Sequence, residues 1–318
     1  MTRNASMSVS VILPAYNAEG FVARAIRSAL DQAQPPLEVI VVDDASTDGT
    51  ASAVLRLAVD EPRIKLVSLS ENAGPGPARN AGLDAAHGDW AAMLDADDVF
   101  GAERLEALMT LARETGADIV ADNLYVYDYA AGQAARTAFV SAPRGPIGLN
   151  TFVERSSGGP GVDLDWGQLK PIVRTAFMRE HAIRYPMLRH AEDFAFMFDA
   201  LLAGAKFFVT PTPHYYYTTR HGEISGRPSM MSRTKIDYES MRRWTEEIVE
   251  DPRVRDDADL VRLLRERVKG IAKASAAHKV YAYGRDRNYA GLALLAATNG
   301  FAAQALAGAL RNKIVKRL

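Results

Sequence analysis

Residues 90–98 read WAAMLDADD, a short apolar run that ends abruptly in the carboxylates Asp95, Asp97 and Asp98. A buried strand that stops in this way concentrates negative charge at one edge of a sheet. Such carboxylates repel one another, and burying them is costly unless a cation or a donor-rich ligand neutralises them. Oxygen ligands suit a hard divalent ion such as Mg²⁺ or Mn²⁺, held by one or two carboxylates together with substrate phosphates. The alternative is a helix-capping loop, because Asp is common before helices.

Three similar strand-to-helix units precede this run. The predicted strands are residues 9–13, 38–42, 64–69 and 90–94. Polar turns follow the first three strands, at residues 14–20, 43–50 and 72–82, and each turn leads into a helical pattern. In the second turn, we expect Ser46 or Thr47 to cap the next helix. Strands that alternate with helices predict a doubly wound, mostly parallel α/β sheet, whose ligands lie beyond the carboxyl ends of the strands.

The motifs, taken in order, resemble those of family 2 glycosyltransferases, which have the GT-A nucleotide-sugar-binding fold. The matching segments are VILPAYN (11–17), VDDASTDGT (42–50), NAGPGPARNAG (72–82), LDADD (94–98) and Glu192-Asp193. The chain also resembles the branch of this family that assembles bacterial exopolysaccharides such as succinoglycan. That second likeness depends on WGQLKP (166–171) and YYY (215–217), with Arg220 and Ser225.

The resemblance implies an inverting, metal-dependent transfer of a sugar from a nucleotide diphosphate sugar to a glycan acceptor, free or lipid-linked. A UDP-sugar is the expected donor, and Mg²⁺ or Mn²⁺ would offset charge on the leaving diphosphate. Asp97 is expected to hold this metal. Asp95 is expected to bind the ribose, with Ala96 in the same part of the site. Asp98 either contacts the sugar or braces the loop.

The turn after the first strand supplies further residues for the sugar donor. Pro14 and Tyr16 are expected to set backbone and an aromatic ring against the nucleotide base. Ala15, Asn17 and Glu19 would lie beside them in the same binding segment.

Two later turns complete the nucleotide site. The resemblance assigns to Asp44 the acceptance of a hydrogen bond from the base, and the alternative is that Asp43 and Asp44 only cap the second helix. Arg79 and Asn80 begin the third helix, where the helix dipole and side-chain donors favour an anion or a ribose. The alternative for Arg79 is a salt bridge to a nearby aspartate.

A carboxylate pair stands at the head of an apolar helix. The position of the family's catalytic base matches Asp193, and a carboxylate close to an acceptor hydroxyl is the expected base for direct displacement. Glu192 is the second candidate, and the alternative role for the pair is helix capping. His190 is either a cation beside the pair or a surface residue.

Acceptor-binding elements are expected where glycine and proline interrupt the alternating pattern, at residues 128–175, which are predicted to be loop. Asp163, Asp165 and Trp166 would frame an acceptor sugar, although a lone tryptophan also suits core packing. Lys170 is either a phosphate contact or a surface lysine.

Residues 214–221 alternate in polarity and are predicted to form an edge strand. Arg220 or His221 would reach the diphosphate from its end. The alternative is a cluster of surface residues at the end of the strand.

The chain is expected to divide into a GT-A domain, residues 1–230, and a helical region, residues 231–318, that contacts the acceptor, a second subunit or a membrane. Residues 288–310 carry no charge, but Asn299-Gly300 divides them into halves too short to span a bilayer. The last segment is predicted to be a basic amphipathic helix suited to an anionic membrane surface, or else to pack against protein.

Composition favours an enzyme that stays in the cytoplasm, where nucleotide sugars are made, or at the inner face of the membrane. The 318 residues are 48% hydrophobic, enough for a large core, and the net charge of −1 gives no field that favours nucleic acid. The absence of cysteine excludes disulfides, zinc–thiolate sites and cysteine nucleophiles. The first residues lack the apolar segment of a signal peptide.

Two other functions are alternatives to glycosyl transfer. A sugar nucleotidyltransferase would need a glycine- and lysine-rich phosphate loop after the first strand, where this chain has PAYN (14–17). A catalytically silent nucleotide-sugar-binding or scaffold protein would not need Asp97 and Asp193.

Overall fold

The computed structural model describes residues 7–128, 133–139, 141, 145–157, 165–219 and 236–315. The chain forms two compact units, Met1–Ile236 and Asp237–Leu318. The roles expected of Asp163, Arg220 and His221 fall outside the described residues.

The first unit begins with alternating strands and helices. The strands are β1 (Val9–Ala15), β2 (Glu38–Asp43), β3 (Ile64–Ser68), β4 (Trp90–Met93), β5 (Val99–Phe100), β6 (Ile119–Asp128), β7 (Gln133–Thr137), β8 (Ile172–Arg174) and β9 (Phe207–Thr219). The helices are α1 (Val22–Leu30), α2 (Thr50–Ala58), α3 (Pro75–Ala85), α4 (Arg104–Thr115), α5 (Leu149–Arg155), α6 (Thr175–Glu180) and α7 (Glu192–Leu202), with a 3₁₀ turn at Trp166–Gln168.

Within the described part of the chain, these strands form one sheet in the order β3-β2-β1-β4-β8-β6-β9-β5, and β7 pairs with β6. The first four strands in this order, β3, β2, β1 and β4, are all parallel, and this half of the sheet confirms the doubly wound prediction. β8 is antiparallel to both β4 and β6, which makes the other half of the sheet mixed. Every residue of β2 is buried, as expected when helices cover both faces of a parallel sheet.

Two glycines let α3 approach its neighbours closely. A Cβ atom at Gly82 would lie 2.3 Å from the Cγ2 of Ile12 in β1, and one at Gly76 would lie 2.7 Å from the backbone oxygen of Pro186. A larger residue at either position would push the helix away. Arg79 lies between these two glycines in α3, so the close packing of the helix holds the Arg79 side chain at the edge of the sheet.

Two predictions about the middle of the chain are corrected. Residues 128–175 were expected to be loop, but their described part includes β7, α5 and β8. Residues 214–219 belong to β9, which has β6 on one side and β5 on the other, so the prediction of an edge strand is wrong. β5 is only two residues long, and a strand that short leaves no alternating pattern in the sequence.

The second unit is helical, as predicted, with α8 (Tyr238–Val249), α9 (Ala258–Arg285), α10 (Tyr289–Thr298) and α11 (Gly300–Val315). The expected break at Asn299 separates α10 from α11. Among the described residues, no helix is both long and apolar enough to cross a membrane. Phe301 and Leu306 of α11 pack on the small core formed by Ala276, Val280 and Ala302. These two side chains therefore take the packing role that the sequence left as the alternative to membrane contact.

Candidate active site

Five charged side chains from separate parts of the first unit meet beyond the carboxyl ends of the parallel strands. They are Arg79 of α3, Asp95 after β4, Lys170 before β8, and Glu192 and Asp193 at the start of α7. Two cations and three carboxylates thus share one partly buried space.

Arg79 holds all three carboxylates. Its Nη2 lies 2.9 Å from Asp95 Oδ1, and its Nη1 lies 2.7 Å from Glu192 Oε1 and 2.9 Å from Asp193 Oδ1. Burial by itself would lower the pKa of Arg79, but the carboxylates of Asp193, Asp95 and Glu192 raise it well above its ordinary value. The guanidinium also lies over the Tyr185 ring, 5.3 Å from its centroid. The salt bridge that the sequence left as an alternative is therefore present, and it is part of a buried cluster in which Arg79 contacts three carboxylates.

Lys170 is buried, so the interpretation of this residue as a surface lysine is wrong. Its Nζ lies 2.9 Å from Asp95 Oδ2 and 2.8 Å from Asp193 Oδ2. Burial would lower the pKa of Lys170, but the charges of Asp193 and Asp95 raise it well above its ordinary value. One signal for this role was available, because Lys170 is the only charged residue in the segment WGQLKPIV, residues 166–173.

Glu192 and Asp193 are oriented by the start of α7. The residue before the helix, Ala191, has a φ of 63° and provides no side-chain cap, whereas the Glu192 carboxylate accepts a hydrogen bond from its own backbone N–H. Carboxylates in a first helical turn are favoured by the helix dipole. Burial raises the pKa of Glu192, and the charge of Asp193 raises it further, while Arg79 lowers it. The Asp193 side chain is 18% exposed and retains lone pairs for a further hydrogen bond.

The three carboxylates after β4 have different surroundings. Burial would raise the pKa of Asp95, but Lys170 and Arg79 lower it far below its ordinary value, so Asp95 is ionised. Asp98 is buried and accepts hydrogen bonds from the Tyr215 hydroxyl and the Thr218 backbone N–H. Of the two roles expected for Asp98, the geometry therefore supports bracing of the loop. Asp97 is half-buried, and its backbone oxygen accepts a hydrogen bond from Arg24.

The residues after β4 fit a divalent cation that is held mainly by the substrate. Asp95 and Asp98 are engaged by protein donors, and the family resemblance assigns the metal to the half-buried Asp97 between them. No three acidic or histidine side chains in the described ranges converge to hold a metal by themselves. One aspartate plus phosphate oxygens and water is the pattern that Mg²⁺ favours, so these residues are compatible with the expected ion.

Asp44 anchors the entry into α3. Its Oδ1 accepts from the backbone N–H of Ala73, and its Oδ2 accepts from Gly74 N–H and the Asn72 side chain. Gly49, not Asp43 or Asp44, is the N-cap of α2, so the capping alternative is wrong for both. Oδ1 retains a lone pair for the predicted contact with a nucleotide base.

The turn after β1 is tied to the turn after β2. Asn17 donates its backbone N–H to Ser46 Oγ and accepts at Oδ1 from Thr47 N–H. Glu19 accepts from the Gly49 backbone N–H. Ser46 and Thr47 therefore do not cap α2 as predicted, because they bind Asn17 instead. Pro14 and Tyr16 are half-buried beside this junction, while Ala15 is buried and pairs with β2.

The surroundings of Trp166, Asn80 and His190 decide against one of the roles that the sequence suggested for each. Trp166 is only 1% exposed and packs 5.2 Å from the Phe139 ring, so it offers no face to an acceptor sugar. Asn80 uses its amide on the backbone N–H and oxygen of Tyr185, which fixes that segment and leaves no support for a ribose contact. His190 is buried, so the surface interpretation of it is wrong.

Comparison with known proteins identifies the family of the chain. Residues 10–177 match the family model described as glycosyl transferase family 2. Succinoglycan biosynthesis protein ExoO of Rhizobium meliloti is 37% identical over 68% of this chain, and the chain spans 62% of that protein's length. Succinoglycan biosynthesis protein ExoU of the same organism is 36% identical over 81% of this chain and 74% of its own.

A solved structure extends the agreement to three dimensions. The crystal structure of S. aureus TarS 1-349 in complex with UDP-GlcNAc matches with a TM-score of 0.62 and 26% identity, covering 83% of this chain and 73% of that one. The GT-A fold and the family resemblance expected from the motifs are confirmed. The chain belongs to glycosyl transferase family 2.

Proposed function

We propose that this protein is an inverting, metal-dependent glycosyltransferase that uses a nucleotide diphosphate sugar to extend a glycan of a cell-surface polysaccharide. One observation carries the proposal. Asp95, expected on the side of the sugar donor, and Asp193, the expected base, are held by the same two buried cations, Arg79 and Lys170. A sugar donor at one carboxylate and an acceptor hydroxyl at the other would meet between them.

The reaction follows from the roles of these carboxylates. Asp193 accepts the proton of the acceptor hydroxyl as its oxygen attacks the anomeric carbon. The bond from that carbon to the diphosphate breaks on the opposite side, so the configuration inverts and a nucleoside diphosphate leaves. A divalent cation held by Asp97 would neutralise charge on the diphosphate. Arg79 keeps both carboxylates in place throughout.

The proposed donor is a UDP-sugar and the proposed product is an exopolysaccharide. TarS was crystallised with UDP-GlcNAc, and ExoO and ExoU are named for succinoglycan biosynthesis. The ordered junction of Asn17 with Ser46 and Thr47 would present Tyr16 to the nucleotide base. Nucleotide sugars are made in the cytoplasm, so we place the reaction there.

The second unit suggests where a lipid-linked acceptor would be reached. α10 contains no charged residue, and Tyr289 and Leu294 on its outer face are each 67% exposed. Arg285 and Arg287 precede this helix with exposed side chains, Arg285 being paired with Asp286, and Arg311 is exposed in α11. An apolar face preceded by cations suits the surface of an anionic membrane, where the protein would bind peripherally.

A panel of UDP-, GDP- and TDP-sugars tests the proposal. Each sugar nucleotide is assayed with and without Mn²⁺ for thermal stabilisation of the protein and for hydrolysis. We expect one UDP-sugar to stabilise and to be hydrolysed only with metal present. Stabilisation without any hydrolysis or transfer would instead indicate a silent binding protein.

A further inference from the structure

Lys170 and Arg79 bind the same two carboxylates in the same way. Arg79 takes the Oδ1 atoms of Asp95 and Asp193, and Lys170 takes both Oδ2 atoms, at 2.8–2.9 Å. Each carboxylate is thus held at both oxygens by the same pair of cations. This arrangement fixes the orientation of Asp193 more firmly than one salt bridge would.

The backbone of Lys170 is held just as firmly. Arg104 donates a hydrogen bond to the backbone oxygen of Lys170, and its guanidinium forms a fully buried pair with Asp122 of β6. The rings of Phe100 and Tyr215 lie against the same guanidinium. Buried contacts therefore fix the backbone of Lys170, which is the arrangement expected for a side chain that must be accurately positioned.

We propose that Lys170 is a positioning residue that acts through Asp193. The inference rests on the proposed role of Asp193 as base. Lys170 orients the carboxylate toward the acceptor hydroxyl. Because it also contacts Asp95, it links the base to the side of the site where the sugar donor binds. The charged and titratable groups around Asp193 are Arg79 of α3, Lys170 before β8, Asp95 after β4, Glu192 of α7 and Tyr185 before α7.

Two substitutions separate this role from a phosphate contact. Lys170→Met keeps the length of the side chain but removes the charge, and Lys170→Arg keeps the charge. Misplacement of a reacting group by about 1 Å costs on the order of 10²-fold in rate, so we expect that loss of kcat in Lys170→Met. The dissociation constant of UDP with Mn²⁺, measured by calorimetry, should change much less than kcat, because Arg79 still holds Asp95, the expected ribose ligand. Lys170→Arg should recover part of kcat.

A double-mutant cycle tests whether Lys170 acts through Asp193. In an Asp193→Asn background, Lys170→Met should lower kcat no further, because the group it positions no longer accepts a proton. An equal loss in both backgrounds would overturn the inference, as would weaker UDP binding with kcat unchanged. An Asp193→Asn enzyme with normal kcat would instead overturn the proposed function itself.

Arg174→Met is the matched control. Arg174 pairs with Asp118 at the other end of β8, so its loss removes an ion pair from the same strand without touching the site. We expect normal kcat and a smaller fall of the thermal midpoint than in Lys170→Met, because the Arg174 side chain is 38% exposed and that of Lys170 only 6%. A loss of kcat in the control equal to that of Lys170→Met would show that the effect is only structural and would overturn the inference.

Discussion

The Tyr215 hydroxyl donates a 2.7 Å hydrogen bond to Asp98 Oδ2 and accepts one of 3.2 Å from the backbone N–H of Asp95. One buried phenol of β9 thus fixes both ends of the turn that carries the predicted metal ligand. Burial raises the pKa of Asp98 well above its ordinary value, and the charges of Asp97 and Asp95 add to this, while the hydrogen bonds from Thr218 and Tyr215 lower it. Without the phenol, this turn would lose a partner at each end.

Tyr215→Phe should therefore destabilise the first unit. It leaves a buried carboxylate oxygen and a backbone N–H with one partner fewer, and an unsatisfied buried group costs about 1–3 kcal/mol. Thermal unfolding measures the loss. Tyr216→Phe is the control on the same strand, since Tyr216 is half-buried and its ring stacks on Tyr125. Equal stability of the two variants would contradict the bracing role of Asp98.

Asp97→Ala should abolish transfer and the binding of the sugar donor that depends on Mn²⁺. The metal ligand is removed, but the hydrogen bond from Arg24 to the backbone oxygen of residue 97 remains, so the fold should stay intact. Removal of metal from the wild-type protein by EDTA should have the same effect on activity. Near-normal turnover in Asp97→Ala would contradict the assignment of the metal ligand.

Asp193→Asn should bind the sugar donor normally but lose turnover by about 10²–10⁴-fold, the usual contribution of a general base. The amide nitrogen cannot accept from a cation, so one of the contacts to Arg79 and Lys170 is also lost and a small drop in thermal stability is expected. A product that retains the anomeric configuration would exclude direct displacement. Collapse of donor affinity would assign Asp193 to the donor site.

Asp44→Ala should weaken nucleotide binding while metal binding through Asp97 remains. It also leaves the backbone N–H groups of Ala73 and Gly74 without their acceptor, at a cost of about 1–3 kcal/mol in the free energy of unfolding. Asp44→Asn keeps one acceptor oxygen, so its nucleotide affinity and its free energy of unfolding should lie between those of the wild-type protein and Asp44→Ala. An unchanged dissociation constant for UDP in Asp44→Ala would contradict its role at the nucleotide base.

Leu294→Glu should release the protein from anionic liposomes if the outer face of α10 binds membranes. Leu294 is 67% exposed, so the change should not unfold the second unit, whereas deletion of residues 301–318 would remove Ala302 from its core. Leu55→Glu, at an exposed position of α2, is the control. Binding of the wild-type protein should weaken as salt rises. Wild-type protein that ignores such liposomes at low salt would exclude the membrane proposal.

The sequence by itself determined the parallel half of the sheet, the helical second unit and the positions of the polar turns. Strands buried on both faces are short continuous apolar runs, and helices have apolar residues at helical spacing, so β1, β2 and α1 are visible along the chain. Parallel strands bring their carboxyl ends to one edge, which predicted that the ligand lies beyond the turns that carry Asp44 and Asp95.

Only the tertiary structure decided which charges pair and which side chains are covered. Arg79, Asp95, Lys170 and Asp193 come from distant segments, and no local pattern specifies that two cations share two carboxylates. The prediction of an edge strand for β9 was wrong for the same reason, and the sequence could not choose between the two roles left open for Trp166. Periodicity records which face of an element is apolar, but ion pairs and burial depend on how distant elements pack together.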